Sequence, residues 1–344
     1  MLQQRMRRGD GAVMYRCMSV LFGLALWGCT SSSVDDTSST PPVTVDIRAV
    51  TWNIELLGSV GSEQYLAALS ILERLDPDVV ALNEIEDYEA TALRTLATEL
   101  GFQAPYVPSY NPFGSLRNAV ISRYPISGAI AHTSAGLSGQ ESANDTTRLP
   151  VEVRIDVPQL RNELIVVTQH WKAGPYADDG FRRTVDGLRV GQVAQRWDVN
   201  TDFVLVMGDV NAEVDSMPDS PSTFSALPNG LPGSYTLGND LTQRLAEDGF
   251  PNNPFYSLLQ QGYEVVDALQ ADGRAATRPS SDRRLDYIFG SEPVMASIVA
   301  AEVYDSRDEQ LSQLSKSGET PMRDASDSAS DHLPVVVDFT MSEM

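Results

Sequence analysis

Residues Phe203–Glu213 read FVLVMGDVNAE, and the interpretation of the whole chain depends on this stretch. The apolar run that leads into Gly208 predicts a buried strand ending at the protein surface. Asp209 and Asn211 follow two residues apart, so on an extended chain their side chains point the same way. A carboxylate beside a carboxamide suits a water molecule, a phosphate or a hard metal ion. The alternative is a plain strand-to-turn boundary, because Gly, Asp and Asn are ordinary turn residues.

The composition indicates an acidic protein with a sizeable apolar core. The chain has 344 residues, 42% of them hydrophobic, and its 25 Lys+Arg against 47 Asp+Glu give a net charge of −22. A body with this charge has no general attraction for polyanions. A phosphate ester would have to bind through a local basic pocket or through metal ions. The only cysteines are Cys17 and Cys29, so the body has no disulfide and no thiol chemistry.

The N-terminal residues predict export. Several arginines precede the apolar run Met18–Trp27, which is too short to span a bilayer but suits the core of a signal peptide. Leu26–Cys29 resembles a bacterial lipobox, although Trp27 stands where a small residue is usual. We therefore expect residues 1–29 to be a signal peptide with a lipobox, and Cys29 to carry a lipid. The product would be an exported, membrane-anchored lipoprotein, periplasmic or on the cell surface. The alternatives are secretion, a shorter signal beginning at Met14, and a buried N-terminal helix.

The rest of the chain predicts one tethered domain. Residues 30–44 are rich in Ser, Thr, Pro and Asp and predict a flexible tether, and residues 45–344 show no further linker. We expect the irregular loop 211–253 to rim the functional site. Amphipathic patterns predict helices at Glu63–Leu75, Glu89–Leu100 and Arg183–Trp197. The predicted strands are Ile47–Ile54, Asp78–Ile85, Ala119–Arg123, Pro150–Ile155, Glu163–His170, Phe203–Gly208, Leu285–Phe289, Ala296–Tyr304 and Leu333–Phe339.

Polar side chains lie at or beside one end of six apolar runs. Many strands with few helices favour two sheets packed face to face, with helices outside. Each polar residue alone is compatible with a turn or a helix start, but the set together predicts phosphate-ester hydrolysis. Acidic oxygens hold Mg²⁺, one group positions or deprotonates water, and another protonates the leaving oxygen. Two histidines among many carboxylates and amides fit a hard ion better than zinc. His132, the third histidine, is interpreted as a surface residue without a role.

The motifs TWNIE, LNEIE, TQHWKAG, MGDVNAE, RLDYIFG and SDHLPV, in this order, resemble the endonuclease/exonuclease/phosphatase superfamily. That superfamily includes deoxyribonuclease I, abasic-site endonucleases, bacterial sphingomyelinases and inositol-polyphosphate phosphatases. The resemblance covers about Val45 to Phe339. It implies an α/β fold of the α+β kind, a four-layer αββα sandwich in which two mixed sheets pack face to face with helices outside.

The resemblance also implies a metal site. Glu84 looks like the principal ligand of Mg²⁺, with Mn²⁺ or Ca²⁺ as alternatives, and Asn53 lies beside it. Glu55 is a second acidic contact. Asp331 resembles the acidic residue near the metal that precedes the family histidine.

The same resemblance assigns catalytic roles to five residues. Asp209 looks like the residue that positions or activates the attacking water, and Asn211 orients the water and the phosphate. His332 resembles the histidine that binds the phosphoryl oxygens or acts as base, with Asp286 as its orienting carboxylate. His170 resembles the acid or phosphate-stabilising histidine of the nuclease and sphingomyelinase branches.

Several residues are candidates for binding the substrate. Asn118 and Arg148 lie in family-like contexts. A group of cations after His170 predicts a local basic pocket, with a solvated loop and helix face as the alternative. This group comprises Lys172, Arg182, Arg183 and Arg189.

These observations predict a Mg²⁺-dependent phosphodiesterase that acts outside the cytoplasm as a monomer. Nucleic acid is the first-choice substrate. The alternatives are a sphingomyelinase-like phospholipase C or inositol-phosphate phosphatase, and a non-catalytic anchored binding module on the same fold.

Overall fold

The computed structural model describes residues 42–343 except 217–222, 225 and 237–249. Within this part of the chain, no helix is both long and apolar enough to cross a membrane. Some predictions fall wholly or largely outside the described residues. They are the signal peptide at 1–29, the lipidation site Cys29, most of the tether at 30–44, and parts of the loop at 211–253.

Two six-stranded mixed sheets form the centre of the body. The described strands are β1 (Thr44–Asn53), β2 (Val79–Ile85), β3 (Arg117–Ser122), β4 (Ile126–Ala131), β5 (Val151–Ile155), β6 (Leu164–His170), β7 (Phe203–Asp209), β8 (Thr223–Phe224), β9 (Phe250–Pro251), β10 (Glu264–Val265), β11 (Leu269–Gln270), β12 (Asp286–Gly290), β13 (Ile298–Val303) and β14 (Val335–Ser342). Sheet 1 has the order β11-β13-β14-β1-β2-β3, and sheet 2 has the order β10-β12-β7-β6-β5-β4. Strands β8 and β9 form a separate pair.

Along the chain, the described helices occur between these strands. They are α1 (Glu63–Leu75), α2 (Ala90–Glu99), α3 (Ser134–Ser138), α4 (Ala177–Ala194), α5 (Tyr256–Gln260), α6 (Glu292–Met295) and α7 (Ala325–Ala329). Short 3₁₀ turns occur at Asp87–Glu89, Val214–Ser216, Pro279–Ser281 and Ser306–Asp308.

Three apolar layers hold the body together. The inner layer joins the facing sides of both sheets, for example Ala49 and Val337 of sheet 1 with Val166 and Leu205 of sheet 2. The outer face of sheet 1 packs against α1, α2 and α7. The outer face of sheet 2 packs against α4 and α5. The predicted four-layer αββα sandwich is confirmed.

The strand directions bring several strand ends to one edge. Strand β1 runs parallel to β2, and β6 runs parallel to β7. Strands β12 and β14 run antiparallel to β7 and β1, so their first residues lie beside the last residues of those strands. In register, Asp209 lies between His170 on one side and Asp286 on the other. The polar residues that the sequence places at strand ends therefore meet in space.

Most predicted elements agree with the structure, and the differences have local causes. Helix α1 has the predicted bounds because Ser62 accepts the Tyr65 N–H at its start and Asp76 takes a left-handed conformation at its end. Helix α4 begins at Ala177 instead of Arg183, because its first turn is polar and lacks the apolar period used to predict it. Strand β4 was not predicted, since it is a half-buried edge strand of small residues.

Candidate active site

Asn53, Glu84, His170 and Asp209 form one cluster where the two sheets meet. Asn53 Nδ2 donates to Asp209 Oδ2 at 3.0 Å and to Glu84 Oε1 at 3.2 Å. His170 Nε2 lies 3.4 Å from Asp209 Oδ2 and 3.7 Å from Glu84 Oε1. Metal-ligand atoms of Glu84, His170 and Asp209 all lie within 4.8 Å of one another. These atom types are able to hold a divalent ion.

Glu84 reaches this cluster because β2 is irregular near its end. The pairing of β2 with β3 shifts register between Leu82 and Ile85. Glu84 lies in this irregularity with a φ of 65°, in the left-handed region that non-glycine residues rarely adopt. Backbone conformations of this kind concentrate at functional sites. The irregularity frees Glu84 from strict strand alternation, so its carboxylate meets Asn53 and His170.

Asn211 closes the turn after β7 onto Asp209. Its backbone N–H donates to Asp209 Oδ1 at 2.8 Å, and its Nδ2 donates to Asp209 Oδ2 at 3.0 Å. The same Nδ2 also donates to the Trp171 carbonyl at 3.1 Å. Asn211 has a φ of 51°, which asparagine tolerates better than most residues. Asn211 therefore forms a turn and at the same time donates to both carboxylate oxygens of Asp209.

His332 and Asp286 form a buried pair beside Asp209. His332 Nδ1 lies 2.7 Å from Asp286 Oδ2, which also accepts the Thr277 hydroxyl at 2.6 Å. Burial opposes the imidazolium, but the Asp286 and Asp209 carboxylates outweigh it and raise the pKa of His332 to about 10. Ligand atoms of Asp209, Asp286 and His332 also lie within 4.8 Å of one another. Asp209 thus belongs both to the group with Glu84 and His170 and to the group with Asp286 and His332.

Burial affects Asp209 and His170 in opposite senses. Burial, reinforced by the Asp286 carboxylate, raises the pKa of Asp209. Burial, reinforced by the charges of Arg148 and His332, lowers the pKa of His170 well below its usual range. The edge therefore combines a neutral imidazole, an imidazolium and a carboxyl group with increased proton affinity. Separated pKa values of this kind are what acid–base chemistry requires.

Asn83 is a site residue that the sequence analysis did not single out. It is fully buried, and its Oδ1 accepts the Asp209 N–H at 2.9 Å. Its Nδ2 donates to Asn118 Oδ1 at 2.8 Å and to the Gln169 carbonyl at 2.9 Å. Asn83 therefore connects sheet 1 to the end of β7 in sheet 2. The available signal was an asparagine inside the apolar run VVALNEI.

Glu55 and Asp331 lie together at the rim of the site. The Asp331 N–H donates to Glu55 Oε2 at 3.3 Å. The Asp331 carboxylate accepts two bonds from Arg278, at 2.8 Å and 2.5 Å. Arg278 was not predicted to take part. It offsets the charge of Asp331, while Asp331 Oδ1 lies 3.7 Å from His332 Nε2.

The predicted substrate-binding residues are in different surroundings. Arg148 lines an open cleft of about 550 Å³ together with Glu84, Glu55 and Phe113. Asn118 is buried behind the cleft, where its amide bonds to Asn83 and to the Leu149 carbonyl.

The cations after His170 do not form an open basic pocket. Lys172 Nζ pairs with Asp179 at 2.8 Å, and the Arg182 guanidinium stacks 4.8 Å from the centre of the Phe113 ring. Arg183 donates to the Lys172 and Gly174 carbonyls. Arg189 is fully buried and donates to the Asn144 carbonyl, so its inclusion in a basic pocket was wrong.

His132 also differs from the prediction. It is buried rather than on the surface, and its Nε2 lies 3.1 Å from Glu152 Oε2. Arg196 lies on its other side, 3.5 Å from Nδ1. His132 directly follows β4, a half-buried edge strand of small residues that the sequence pattern did not indicate, which is why the prediction failed.

A family model described as the Endonuclease/Exonuclease/phosphatase family matches residues 50–332. The chain belongs to this family. Solved structures share its fold at low identity. The human Nocturnin catalytic domain with bound sulfate anion is 17% identical, with 88% of this chain and 97% of that chain covered and a TM-score of 0.53. An AP endonuclease from Archaeoglobus fulgidus is 13% identical, with 85% and 99% covered and a TM-score of 0.50. No curated protein matches the sequence significantly.

Members of the Endonuclease/Exonuclease/phosphatase family hydrolyse phosphate esters and use divalent metal ions. The side chains of this member fit such an ion. Glu84, Asp209 and Asp286 supply carboxylate oxygens around the two histidines. Asp286 Oδ1 is buried and has no hydrogen-bond partner among the described residues. Carboxylate oxygens of this kind are ligands that a divalent ion accepts.

Proposed function

We propose that this protein is a Mg²⁺-dependent phosphodiesterase. The observation that carries the proposal is the position of Asp209. It accepts hydrogen bonds from Asn53 and Asn211 and lies within reach of both His170 and the His332–Asp286 pair. A water molecule placed at Asp209 would have a proton acceptor, an orienting amide and a cation for the phosphate in one place.

The metal site supports this chemistry. Glu84 would hold the ion, with Asn53 beside it donating to its carboxylate and Glu55 and Asp331 at the rim. A bound ion supplies polarisation of a phosphoryl oxygen and neutralises the charge that develops on it. The remaining chemistry comes from the protein's own side chains.

Each polar side chain has a role in the proposal. Asp209 accepts a proton from the attacking water, since its raised pKa suits a general base near neutral pH. Asn211 orients the water and the phosphate. His332, held as an imidazolium by Asp286, binds the phosphoryl oxygens, and this role fits its raised pKa better than that of a base. His170 is buried beside Asp209 as a neutral imidazole, and its Nε2 stabilises the phosphate or the leaving oxygen.

A second candidate concerns the substrate. Nucleic acid was the first choice from sequence, but the cleft beside Glu84 is lined by three glutamates and one arginine. A polyanion is disfavoured by such a wall, whereas a phospholipid head group or an inositol phosphate brings fewer charges. Attachment to a membrane through Cys29 would favour a lipid substrate as well. Export, the lipid anchor and the monomeric state remain part of the proposal.

A substrate panel with and without EDTA tests the proposal. Plasmid DNA, RNA, sphingomyelin, inositol phosphates and bis-p-nitrophenyl phosphate are incubated with the full chain and Mg²⁺. We expect hydrolysis of at least one diester, lost in EDTA and restored by excess Mg²⁺. Binding of these compounds without hydrolysis of any of them would instead support the non-catalytic binding module.

A further inference from the structure

Asp186 is a buried carboxylate in the middle of α4, on the side that faces sheet 2. It is 2% exposed, and each of its oxygens accepts a backbone N–H from a different loop. Oδ1 accepts from Thr147 at 2.6 Å, and Oδ2 accepts from Lys172 at 2.8 Å. Burial raises the pKa of Asp186 to about 6, while the two N–H groups favour its ionised form. Asp186 therefore ties two loops to one helix.

Both loops carry groups that lie beside the candidate active site. Thr147 immediately precedes Arg148, and Lys172 follows Trp171 and His170 along the chain. Arg148 Nη1 donates to the Trp171 carbonyl at 3.2 Å, and Asn211 Nδ2 donates to the same oxygen at 3.1 Å. The two loops held by Asp186 thus meet again at the Trp171 carbonyl, next to Asp209.

Arg148 is the cation best placed to receive a substrate phosphate. It lines the cleft with Glu84. Its positive charge interacts favourably with the carboxylates of Asp186, Glu84 and Asp209. No carboxylate lies within 4.0 Å of its guanidinium among the described ion pairs, in contrast to Lys172, which pairs with Asp179. An arginine fork binds phosphate oxygens in two parallel hydrogen bonds, so its position must be set accurately.

The chemistry of Asp186 suits this task. A carboxylate accepts two N–H groups at once, whereas asparagine has one oxygen and would turn an NH₂ donor toward the other N–H. We propose that Asp186 is a positioning residue, which sets the place of Arg148 against the substrate phosphate by holding the Thr147 and Lys172 backbones. This inference rests on the proposed phosphodiesterase function for its substrate, and it adds a residue that does not touch the reacting atoms.

A double-mutant cycle tests the inference with bis-p-nitrophenyl phosphate and Mg²⁺. Arg148→Gln should lower kcat/KM by about 10- to 100-fold, mainly through KM, because a hydrogen-bonded charge pair is lost. Asp186→Asn should also lower kcat/KM in the wild-type background, but it should leave kcat/KM almost unchanged in the Arg148→Gln background. Equal fold-losses in both backgrounds would mean that Asp186 has only a structural role, and would overturn the inference.

Two additions keep the result unambiguous. Glu152→Gln is the matched control, since Glu152 is an equally buried acid that pairs with His132 away from the cleft. We expect this variant to leave KM unchanged. If Asp186→Asn does not fold, Asp186→Glu replaces it, since it keeps the charge but displaces both loops.

A binding measurement separates this inference from the proposed function. The affinity of each variant for inorganic phosphate is measured by calorimetry. If no diester is hydrolysed, the proposed function fails, but weaker phosphate binding in Asp186→Asn that depends on Arg148 would still support positioning. If diesters are hydrolysed and Asp186→Asn leaves both KM and phosphate affinity unchanged, positioning fails and the function stands.

Discussion

Asp209 is held in place by groups that bind its oxygens and is at the same time destabilised by its surroundings. Asn53 and Asn211 donate hydrogen bonds to it, while burial and the nearby Asp286 carboxylate disfavour its charge. Such conflicts are common where function has been selected over stability. They imply that activity and stability respond in opposite directions to the same substitution.

Asp209→Asn tests this opposition. We expect kcat on a diester to fall by roughly 10²- to 10⁴-fold, the usual contribution of general acid–base catalysis. The thermal midpoint should stay equal to that of the wild type or rise, because the buried charge and its repulsion of Asp286 are removed. Steady-state kinetics and thermal denaturation on the same preparations give both readings. A variant that keeps wild-type turnover would contradict the role given to Asp209.

His332 makes stability depend on pH. Its pKa in the folded protein is about 10, above the value of about 6.5 for a free imidazole. The stabilisation is therefore complete below about pH 6.5 and is lost as the pH rises toward 10. Thermal midpoints of the wild type and of His332→Gln, measured in EDTA from pH 6.5 to 10, should converge as the pH rises. A constant difference over this range would show that His332 is not held as an imidazolium.

At the scale of elements, the close contact between β6 and β7 requires glycine at 208. Gly208 has a φ of 145°, and a Cβ atom there would lie 1.9 Å from the Gln169 carbonyl oxygen. The contact brings the end of β7 against the end of β6, so that Asp209 lies beside His170. The geometry of the site thus depends on the absence of a side chain one residue earlier.

Gly208→Ala should destabilise the fold by on the order of 3 kcal/mol, because it combines a strained backbone with an atomic overlap. Gly180→Ala is the matched control. Gly180 lies inside helix α4, where a Cβ would meet no atom within 4 Å, so alanine should stabilise by about 0.5–1 kcal/mol. Urea denaturation of both variants gives the comparison. Equal free energies of unfolding for Gly208→Ala and wild type would contradict the close contact between β6 and β7.

The strands and their ends also show which features of the site could be predicted from the sequence. Strand ends could be predicted, because apolar runs stop where a polar side chain is presented. The parallel pair β6 and β7 then brings His170 beside Asp209, and the packing of the two sheets brings Asn53 to Asp209. The irregularity at Glu84 could not be predicted, since it depends on pairing with β3. Asn83 was missed because its role depends on contacts with a different sheet.

Ion pairs between residues that are distant in sequence could not be predicted either. Arg278 and Asp331 are 53 residues apart, and nothing in either local sequence predicts their bond. Arg189 likewise belongs to a helical pattern that is compatible with either a solvent face or a buried one. Its burial follows from packing of the whole helix against loops that sequence alone did not place.

At the scale of the whole molecule, charge restricts the substrate. The chain carries a net charge of −22. Cations near the site are largely engaged by the protein's own acids, as Lys172 is by Asp179 and Arg278 by Asp331. Little positive surface is then left among the described residues to follow a long phosphate backbone.

We therefore expect a small diester to be a better substrate than duplex DNA when the rates are compared per scissile bond. Binding that neutralises few phosphates depends weakly on salt, because each neutralised phosphate contributes about −0.9 to the slope of log K against log salt. The KM for either substrate should change little when the NaCl concentration is raised about fourfold, from about 50 to about 200 mM. A steep increase of KM for DNA would indicate a basic track that the described residues do not contain.

The central claim is that this edge of the two sheets hydrolyses phosphodiesters with a divalent ion held by Glu84. Its most direct test is the rate of bis-p-nitrophenyl phosphate hydrolysis by the full chain as free Mg²⁺ is varied, for the wild type and for Glu84→Gln. The account predicts no turnover in EDTA, saturable activation of the wild type by Mg²⁺, and activation of Glu84→Gln only at much higher Mg²⁺ or not at all. Hydrolysis that is independent of the ion, or identical activation curves for the two proteins, would contradict it.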